Sequence, residues 1–128
     1  MIDPLLDYPF EMFCEFYENG GIEEIDWNSD EGHRNAKSEM DYLYKWFTID
    51  RKERELEIGT VSETWCEHHV SWWENIPDND SCYTWVFVPK NKYAEYLFTI
   101  VQDLEINYEN EKEVNLIRLV KIRNYLWT

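Results

Sequence analysis

The stretch WCEHHVSWWENIPDNDSCYTWVF, residues 65–87, contains residue types that bind metals or act as nucleophiles. Its candidate zinc ligands are Cys66, His68, His69 and Cys82. Structural zinc usually takes its ligands as close pairs such as C-x₂₋₄-C or H-x₃₋₅-H, because both members of a pair must converge on one tetrahedral ion. The spacings Cys66-x-His68 and His68-His69 do not match these pairs, and Cys82 stands alone. The sequence therefore predicts neither a metal site nor a cofactor.

Catalytic signatures are also missing from the sequence. It contains no glycine-rich phosphate loop, no G-x-S-x-G nucleophile elbow and no H-E-x-x-H metalloprotease motif. A small enzyme that uses Cys66 with His68 or His69 stays open as an alternative, and Cys14 is a second candidate nucleophile. Cysteines on the apolar face of a helix are usually inert, so we do not expect an enzyme.

Tryptophans flanked by acids are the other feature of this stretch. Trp72 and Trp73 are adjacent, so they cannot both face one core, and at least one is expected at the surface. The neighbouring carboxylates are those of Glu74, Asp78 and Asp80. An exposed indole beside carboxylates is typical of a hot spot for arginine and lysine side chains. The sequence therefore favours an aromatic, acidic binding surface over a metal site.

The acidic residues are concentrated in two blocks of the chain. Among 128 residues, 27 are acidic and 12 are Lys or Arg, which gives a net charge of -15. Residues 1–33 and residues 55–89 contain no Lys or Arg. In the first block, the candidate partner-binding carboxylates are Glu11, Glu15, Glu18, Glu23, Glu24 and Asp26. Such a charge repels itself and weakens the compact state, so it favours a function that needs negative charge.

The composition also indicates the cellular compartment of the protein and the class of its partner. Three cysteines at irregular spacing, and a first block without Lys or Arg, argue against a secreted protein with a signal peptide. No apolar run reaches the roughly 20 residues that cross a bilayer, and a polyanion is repelled by anionic lipid and by nucleic acid. We therefore expect a cytoplasmic protein whose partner is a basic protein, with no direct contact to membranes or nucleic acid. The oligomeric state stays open.

In charge, size and aromatic content, the chain resembles two groups of small acidic proteins. One group comprises phage-encoded inhibitors of host defence, the DNA-mimic antirestriction and anti-CRISPR proteins. The other comprises immunity proteins that neutralise nuclease toxins. The first resemblance implies an inhibitor that occupies a basic nucleic-acid-binding site, with carboxylates in the place of phosphates. The second resemblance implies the alternative function, an immunity protein that neutralises a nuclease toxin. Both similarities are of composition, so no residue role is carried over from either group.

Hydrophobic periodicity predicts the elements that must position these residues. We expect a single α+β domain over residues 1–128, mostly helical with a small antiparallel sheet. The first helix is predicted to be capped by Asp7 and to end before Gly20. The second is predicted to begin after Asn28, with Glu31 completing a capping box.

The stretch that carries the candidate chemistry is predicted to be half helix and half strand. A capping box at residues 60–63 and helical spacing of apolar residues predict a third helix that continues to Ile76. Residues 81–88 are rich in β-branched and aromatic side chains and predict a strand, with residues 55–58 as its partner. Two further helices are predicted over residues 93–104 and 109–127.

Overall fold

The computed structural model describes residues 3–20 and 22–126, with the backbone alone at residues 79 and 80. The elements are α1 (Pro4–Glu18), α2 (Glu31–Lys45), a π-helical turn (Trp46–Asp50), α3 (Arg51–Glu67), β1 (His69–Ile76), β2 (Asn79–Pro89), α4 (Lys92–Lys121) and a 3₁₀ turn (Arg123–Tyr125). The two strands form one antiparallel sheet. The predicted class, α+β and mostly helical with a small antiparallel sheet, is confirmed.

The chain divides into two compact units. Unit 1 comprises Met1–Arg54 and Tyr108–Thr128, and unit 2 comprises Glu55–Asn107. Both unit boundaries fall inside helices, one in α3 and one in α4. The expectation of a single domain over residues 1–128 stays a prediction, which one cooperative unfolding transition would support.

Helix α1 begins earlier than predicted, at Pro4, where a proline loses no helical hydrogen bond. Asp7, expected to cap the helix, lies inside it. Its carboxylate instead accepts a hydrogen bond from the backbone N–H of Asp3 at 2.6 Å and another from the Arg51 guanidinium. The helix ends just before Gly20, whose φ of 84° is in the left-handed region that favours glycine.

Helix α2 begins at Glu31, and its capping residue lies two positions after the predicted cap, Asn28. Asp30 is the capping residue, because its carboxylate accepts the backbone N–H of His33 at 2.7 Å. The same carboxylate contacts Nδ1 of the His33 ring at 2.9 Å. Glu31 is consequently the first helical residue and not the partner in a capping box. The predicted box was wrong because the Asp30 carboxylate, nearer to the helix than the Asn28 side chain, satisfies a free N–H group at the start of α2.

Aromatic side chains form much of the core of unit 1. Phe10 stacks on Phe47 with ring centroids 4.9 Å apart and lies 5.5 Å from Trp46. Phe10, Phe13 and Trp46 are almost completely buried. The Trp46 indole N–H donates to the Glu111 carboxylate, so its polar atom is satisfied inside this cluster. The apolar residues Phe10, Phe13 and Cys14, spaced at the helical period, therefore form the buried face of α1.

A buried ion pair lies beside this aromatic cluster. The Arg51 guanidinium bonds the Asp7 carboxylate and lies over the Phe47 ring at 4.0 Å from its centroid. Burial alone raises the pKa of the Asp7 carboxyl, but the hydrogen bond from the Asp3 backbone and the pairing with Arg51 outweigh it. The net pKa of Asp7 lies below its ordinary value. The pair therefore contributes to stability while Asp7 is ionised.

Two predicted elements of unit 2 are wrong. Residues 55–58, expected as a strand, and the capping box at residues 60–63 both lie inside α3. Residues 51–58 are mainly Arg, Lys, Glu and Leu, which are strong helix formers, and no turn residue interrupts them. Residues 69–76, expected as the end of a helix, form β1. Their apolar spacing fits a helix, but their aromatic and β-branched side chains also suit a strand, and pairing with β2 decides between the two.

The strand predicted over residues 81–88 is confirmed and lies within β2. The two predicted C-terminal helices are one helix, α4, of 30 residues. No Gly or Pro occurs between residues 92 and 121, so nothing ends the helix at the predicted break. Asn91 caps α4 by accepting the backbone N–H of Ala94 at 3.1 Å. Within the part of the chain that the structure describes, no helix combines the length and apolar character needed to cross a membrane.

Candidate partner-binding surfaces

Strands β1 and β2 form a hairpin, and its register decides which side chains share a face. Trp73 lies opposite Trp85, and Trp72 lies opposite Val86. Because side chains alternate along a strand, Trp72 and Trp73 point to opposite faces of the hairpin. The connecting turn includes Asp78 with a φ of 66°, a left-handed conformation that aspartate tolerates better than most residues.

One face of the hairpin is aromatic. We call it the aromatic face and define it by His69, Trp73, Tyr83, Trp85 and Phe87. The rings of Trp73 and Trp85 meet edge to face, with centroids 4.9 Å apart. Trp73 is 65% exposed, Trp85 is 50% exposed and Tyr83 is 57% exposed. Clustered aromatic side chains in contact with solvent are typical of a binding surface.

The opposite face of the hairpin is also open to solvent. Trp72 is 43% exposed, so both adjacent tryptophans are at the surface. Glu74 lies on this second face, opposite Thr84, and its side chain is exposed. Asp78 is exposed in the turn, whereas the side chain of Asp80 lies outside the described residues. The second face of the hairpin therefore presents Trp72 and Glu74 together, and a role for them in binding cations stays a prediction.

A row of carboxylates lies on α1, in unit 1. We call Glu11, Glu15 and Glu18 the acidic row, and all three side chains are exposed. Like charges one helical turn apart destabilise a helix by about 0.2–0.5 kcal/mol per pair. Glu18 accepts the Tyr44 hydroxyl at 2.5 Å. Within residues 3–20 and 22–126, the side-chain carboxylates of Glu11 and Glu15 form no hydrogen bond or ion pair, so their repulsion is not relieved by the fold.

Three more predicted carboxylates lie in the segment between α1 and α2. Glu23, Glu24 and Asp26 are exposed. Asp26 accepts the backbone N–H of Asn28 at 3.0 Å, which shapes the turn. Trp27 anchors the segment, because its side chain is buried and its indole N–H donates to a backbone carbonyl of the same segment at 2.7 Å. The buried anchor holds the three carboxylates at the surface.

Half of the basic side chains are paired with other carboxylates. Within residues 3–20 and 22–126, six of the 12 Lys and Arg residues form ion pairs, namely Lys37, Lys45, Arg51, Arg54, Lys112 and Arg118. Among the described residues, none of the carboxylates in these pairs belongs to the predicted partner-binding set. The carboxylates of that set are consequently available to an external cation.

The predicted residues fall into two separate groups. The acidic row and the segment with Glu23, Glu24 and Asp26 belong to unit 1, and the hairpin belongs to unit 2. Each group therefore forms a surface of its own unit.

The cysteines and histidines do not converge on one point. The His69 ring stacks on Phe87 at 4.2 Å, and its Nδ1–H donates to the Trp65 carbonyl at 2.6 Å. His68 instead accepts from the Asn91 amide at 3.2 Å. Cys66 is exposed near the end of α3. In the described residues, no group of three or more His, Cys, Asp or Glu side chains is arranged to hold a metal ion.

Cys14, the second candidate nucleophile, is buried in unit 1. Burial, with a smaller contribution from the nearby Glu18 carboxylate, raises the pKa of its thiol to about 11. The thiol is therefore protonated at neutral pH, and a protonated thiol is a poor nucleophile.

Zinc content gives a direct test of the absence of a metal site. We expect the purified protein to contain far less zinc than one ion per chain and to keep its melting temperature in chelator, because structural zinc contributes directly to folding. Atomic absorption and thermal denaturation with and without EDTA measure both quantities. Stoichiometric zinc together with chelator-induced unfolding would contradict the prediction.

The structure also reveals a cavity that sequence reasoning missed. It has a volume of about 420 Å³ and lies in unit 2, where α3, the hairpin and α4 contribute its walls. Its lining includes the aromatic residues Trp65, His69, Phe87 and Phe98 and the acidic residue Glu95. These residues lie up to 33 positions apart in sequence, and only the hairpin register brings His69 onto Phe87. No local sequence motif predicts a cavity lined by these residues.

Comparison of the chain with protein-family models, with curated proteins and with solved structures gives no match.

Proposed function

We propose that this protein is an acidic inhibitory binding protein that blocks a basic nucleic-acid-binding site on a partner protein. In this role it would resemble the DNA-mimic antirestriction and anti-CRISPR proteins of phages, and a cytoplasmic setting is part of the proposal. The observation that carries it is the separation of charges. Among the described residues, the six Lys and Arg side chains that form ion pairs do so with carboxylates outside the acidic row, the segment with Glu23, Glu24 and Asp26, and the hairpin.

Unrelieved repulsion within the acidic row supports the proposal. Glu11 and Glu15 are exposed carboxylates one turn apart, and their repulsion is a cost to α1. A partner with Lys and Arg side chains spaced to bind phosphates would relieve this repulsion on binding. Long-range attraction would also raise the association rate, by a factor that depends steeply on ionic strength.

The hairpin supplies the second kind of contact. Steering by exposed charges gives speed and specificity more than affinity, whereas anchored aromatic side chains dominate the binding free energy at interfaces. Trp73 and Trp85 are exposed, and the hairpin carries acidic residues without a Lys or Arg between residues 69 and 89. Arginine and lysine side chains of the partner can stack on these indoles, and Glu74 adds a negative charge on the opposite face of the hairpin, beside Trp72.

The proposal is tested by capture followed by competition. The immobilised protein is incubated with lysate, bound proteins are identified, and the purified partner is then challenged with DNA or RNA. We expect the partner to be a nucleic-acid-binding protein and the nucleic acid to displace it. Binding that withstands excess nucleic acid and is indifferent to salt would overturn the proposal. A captured nuclease toxin would instead support the alternative, an immunity protein that uses the same charges.

The acidic row has a matched test of its own. Reversal of Glu11 and Glu15 to Lys is expected to slow association with the isolated partner about tenfold at low salt. Glu18 is left unchanged because it bonds Tyr44. Reversal of Glu53 and Glu57 on α3 is the control, since both are exposed, are one turn apart and change the net charge equally. Equal slowing by both double variants, in stopped-flow measurements, would mean that net charge and not the row steers binding.

A further inference from the structure

We infer that the cavity in unit 2 is a receptor for an arginine side chain of the basic partner. The inference rests on the proposed function for the class of partner, and it adds a defined site to that function. We call the cavity the arginine pocket and define it by Trp65, His69, Phe87, Phe98 and Glu95. Its volume of about 420 Å³ is in the range of ligand-binding cavities.

The rings of the arginine pocket form one continuous wall. The Trp65 centroid lies 5.0 Å from that of Phe87 and 5.7 Å from that of Phe98. His69 stacks face to face on Phe87 at 4.2 Å, and the Trp65 ring is inclined at 55–61° to both. The rings contact one another and form one packed aromatic wall, against which a ligand can lie. Trp65, His69 and Phe87 are half-buried and Phe98 is exposed.

The electrostatic character of the pocket selects a cation. The π faces of aromatic rings attract positive charge, and Glu95 adds a full negative charge at the same cavity. The His69 ring donates its Nδ1–H to the Trp65 carbonyl, which fixes the orientation of the ring. The nearest basic residues in sequence, Lys90 and Lys92, do not line the cavity, and the Lys90 ammonium donates to the Glu67 carbonyl at 3.0 Å. Among the residues that the structure describes, no Lys or Arg lines the pocket.

The shape of the wall distinguishes arginine from other cations. A guanidinium is planar and weakly hydrated, so it stacks on a flat aromatic surface and can still present two N–H groups to one carboxylate. A lysine ammonium is compact and strongly hydrated, and it loses more hydration on entering an aromatic cavity. A quaternary ammonium group is bound best by several rings that enclose it, and the pocket offers a wall on one side. An arginine side chain can therefore stack on Trp65 and Phe98 while it binds Glu95.

The pocket is tested on the free protein with small probes. N-acetyl-arginine amide, N-acetyl-lysine amide and tetramethylammonium are titrated separately, and NMR follows the indole N–H of Trp65 and the amide of Glu95. We expect saturable shifts at both positions with the arginine probe, and affinities at least several-fold weaker for the other two. Absence of saturable shifts, or equal or tighter binding of the lysine or ammonium probe, would overturn the inference.

Two substitutions with matched controls identify the contacts. Glu95→Gln is expected to weaken binding of the arginine probe about tenfold, because it removes a charge-assisted hydrogen bond. Glu105→Gln is its control, since it removes an exposed carboxylate of the same helix that does not line the pocket. Phe98→Leu keeps an apolar side chain but removes a ring, and Tyr96→Leu removes a ring of the same helix outside the pocket. Loss of binding with Phe98→Leu but not with Tyr96→Leu is expected.

All four variants replace exposed residues, so circular dichroism should report unchanged helix content. Equal effects of either substitution and its control would overturn the assignment of the pocket. The probe experiment involves no partner, so its failure leaves the nucleic-acid competition test of the proposed function unaffected. Conversely, arginine binding to the free protein stands even if the captured partner does not bind nucleic acid.

Discussion

Replacement of Arg51 by Met is expected to lower the free energy of unfolding by about 3–5 kcal/mol at neutral pH, because it leaves a buried carboxylate without its cation. The Asp7 side chain is only 9% exposed and that of Arg51 is 16% exposed, so solvent cannot replace the lost partner. Urea denaturation measures the change. Lys45→Met is the matched control, since the Lys45 ammonium lies 3.7 Å from Asp50 and its side chain is 68% exposed. That control is expected to cost less than about 1 kcal/mol.

The effect of Arg51→Met should depend on pH in one direction. The folded-state pKa of Asp7 lies below its ordinary value, so its contribution to stability is complete above that ordinary value and is lost as the pH falls through the lowered pKa. The difference between parent and variant should therefore be largest at neutral pH and should shrink in acid. A double variant, Asp7→Leu with Arg51→Met, should recover much of the stability, because it removes both buried charges. A difference that grows in acid, or a cost no greater than that of Lys45→Met, would contradict this account of the pair.

Replacement of Trp73 by Ala is expected to weaken binding of the isolated partner by about 2 kcal/mol or more, roughly 30-fold in Kd, if the aromatic face is the anchor. The change should appear mainly as faster dissociation, because the contact forms after the charges have steered the encounter. Surface plasmon resonance separates the two rates. Trp73 is 65% exposed, so its truncation should cost far less stability than the roughly 3–5 kcal/mol of a buried tryptophan.

Two controls make the Trp73→Ala result specific. Trp72→Ala removes the neighbouring indole from the opposite face of the hairpin, and Tyr8→Ala removes an exposed ring from unit 1. We expect both to have smaller effects than Trp73→Ala. If Trp72→Ala has the larger effect, the opposite face of the hairpin is the anchor. If well-folded variants of both tryptophans bind as tightly as the parent, the hairpin does not take part in binding.

Much of the fold was predictable from local patterns because local physics decides it. The apolar face of α1 repeats with the helical period, and Phe10, Phe13 and Cys14 are buried as that period requires. Residues 81–88 are a strand because their side chains are β-branched and aromatic and a proline follows them. The exact helix starts were less predictable, since Asp7 accepts the Asp3 N–H from inside α1 and does not cap it, and Asp30 caps α2 in place of Asn28.

The segment from residue 69 to residue 76 shows where local patterns fail. Its apolar residues fit the helical period as well as they fit a strand, so sequence spacing favours neither. Backbone pairing with β2 decides the matter, and that pairing depends on residues up to 20 positions away. The decision has functional consequences, because it places Trp72 and Trp73 on opposite faces and brings His69 against Phe87.

The sequence by itself determined the chemical character of this protein: a mostly helical α+β chain with a charge of -15, two blocks without Lys or Arg, and tryptophans beside acids. These properties are sums over residues or local periodicities, which need no knowledge of distant neighbours. Only the tertiary structure decided which carboxylates pair with the protein's own cations, which indoles reach solvent and which rings line the arginine pocket. Each of these depends on contacts between residues far apart in the chain, because burial and pairing are set by packing and by strand register.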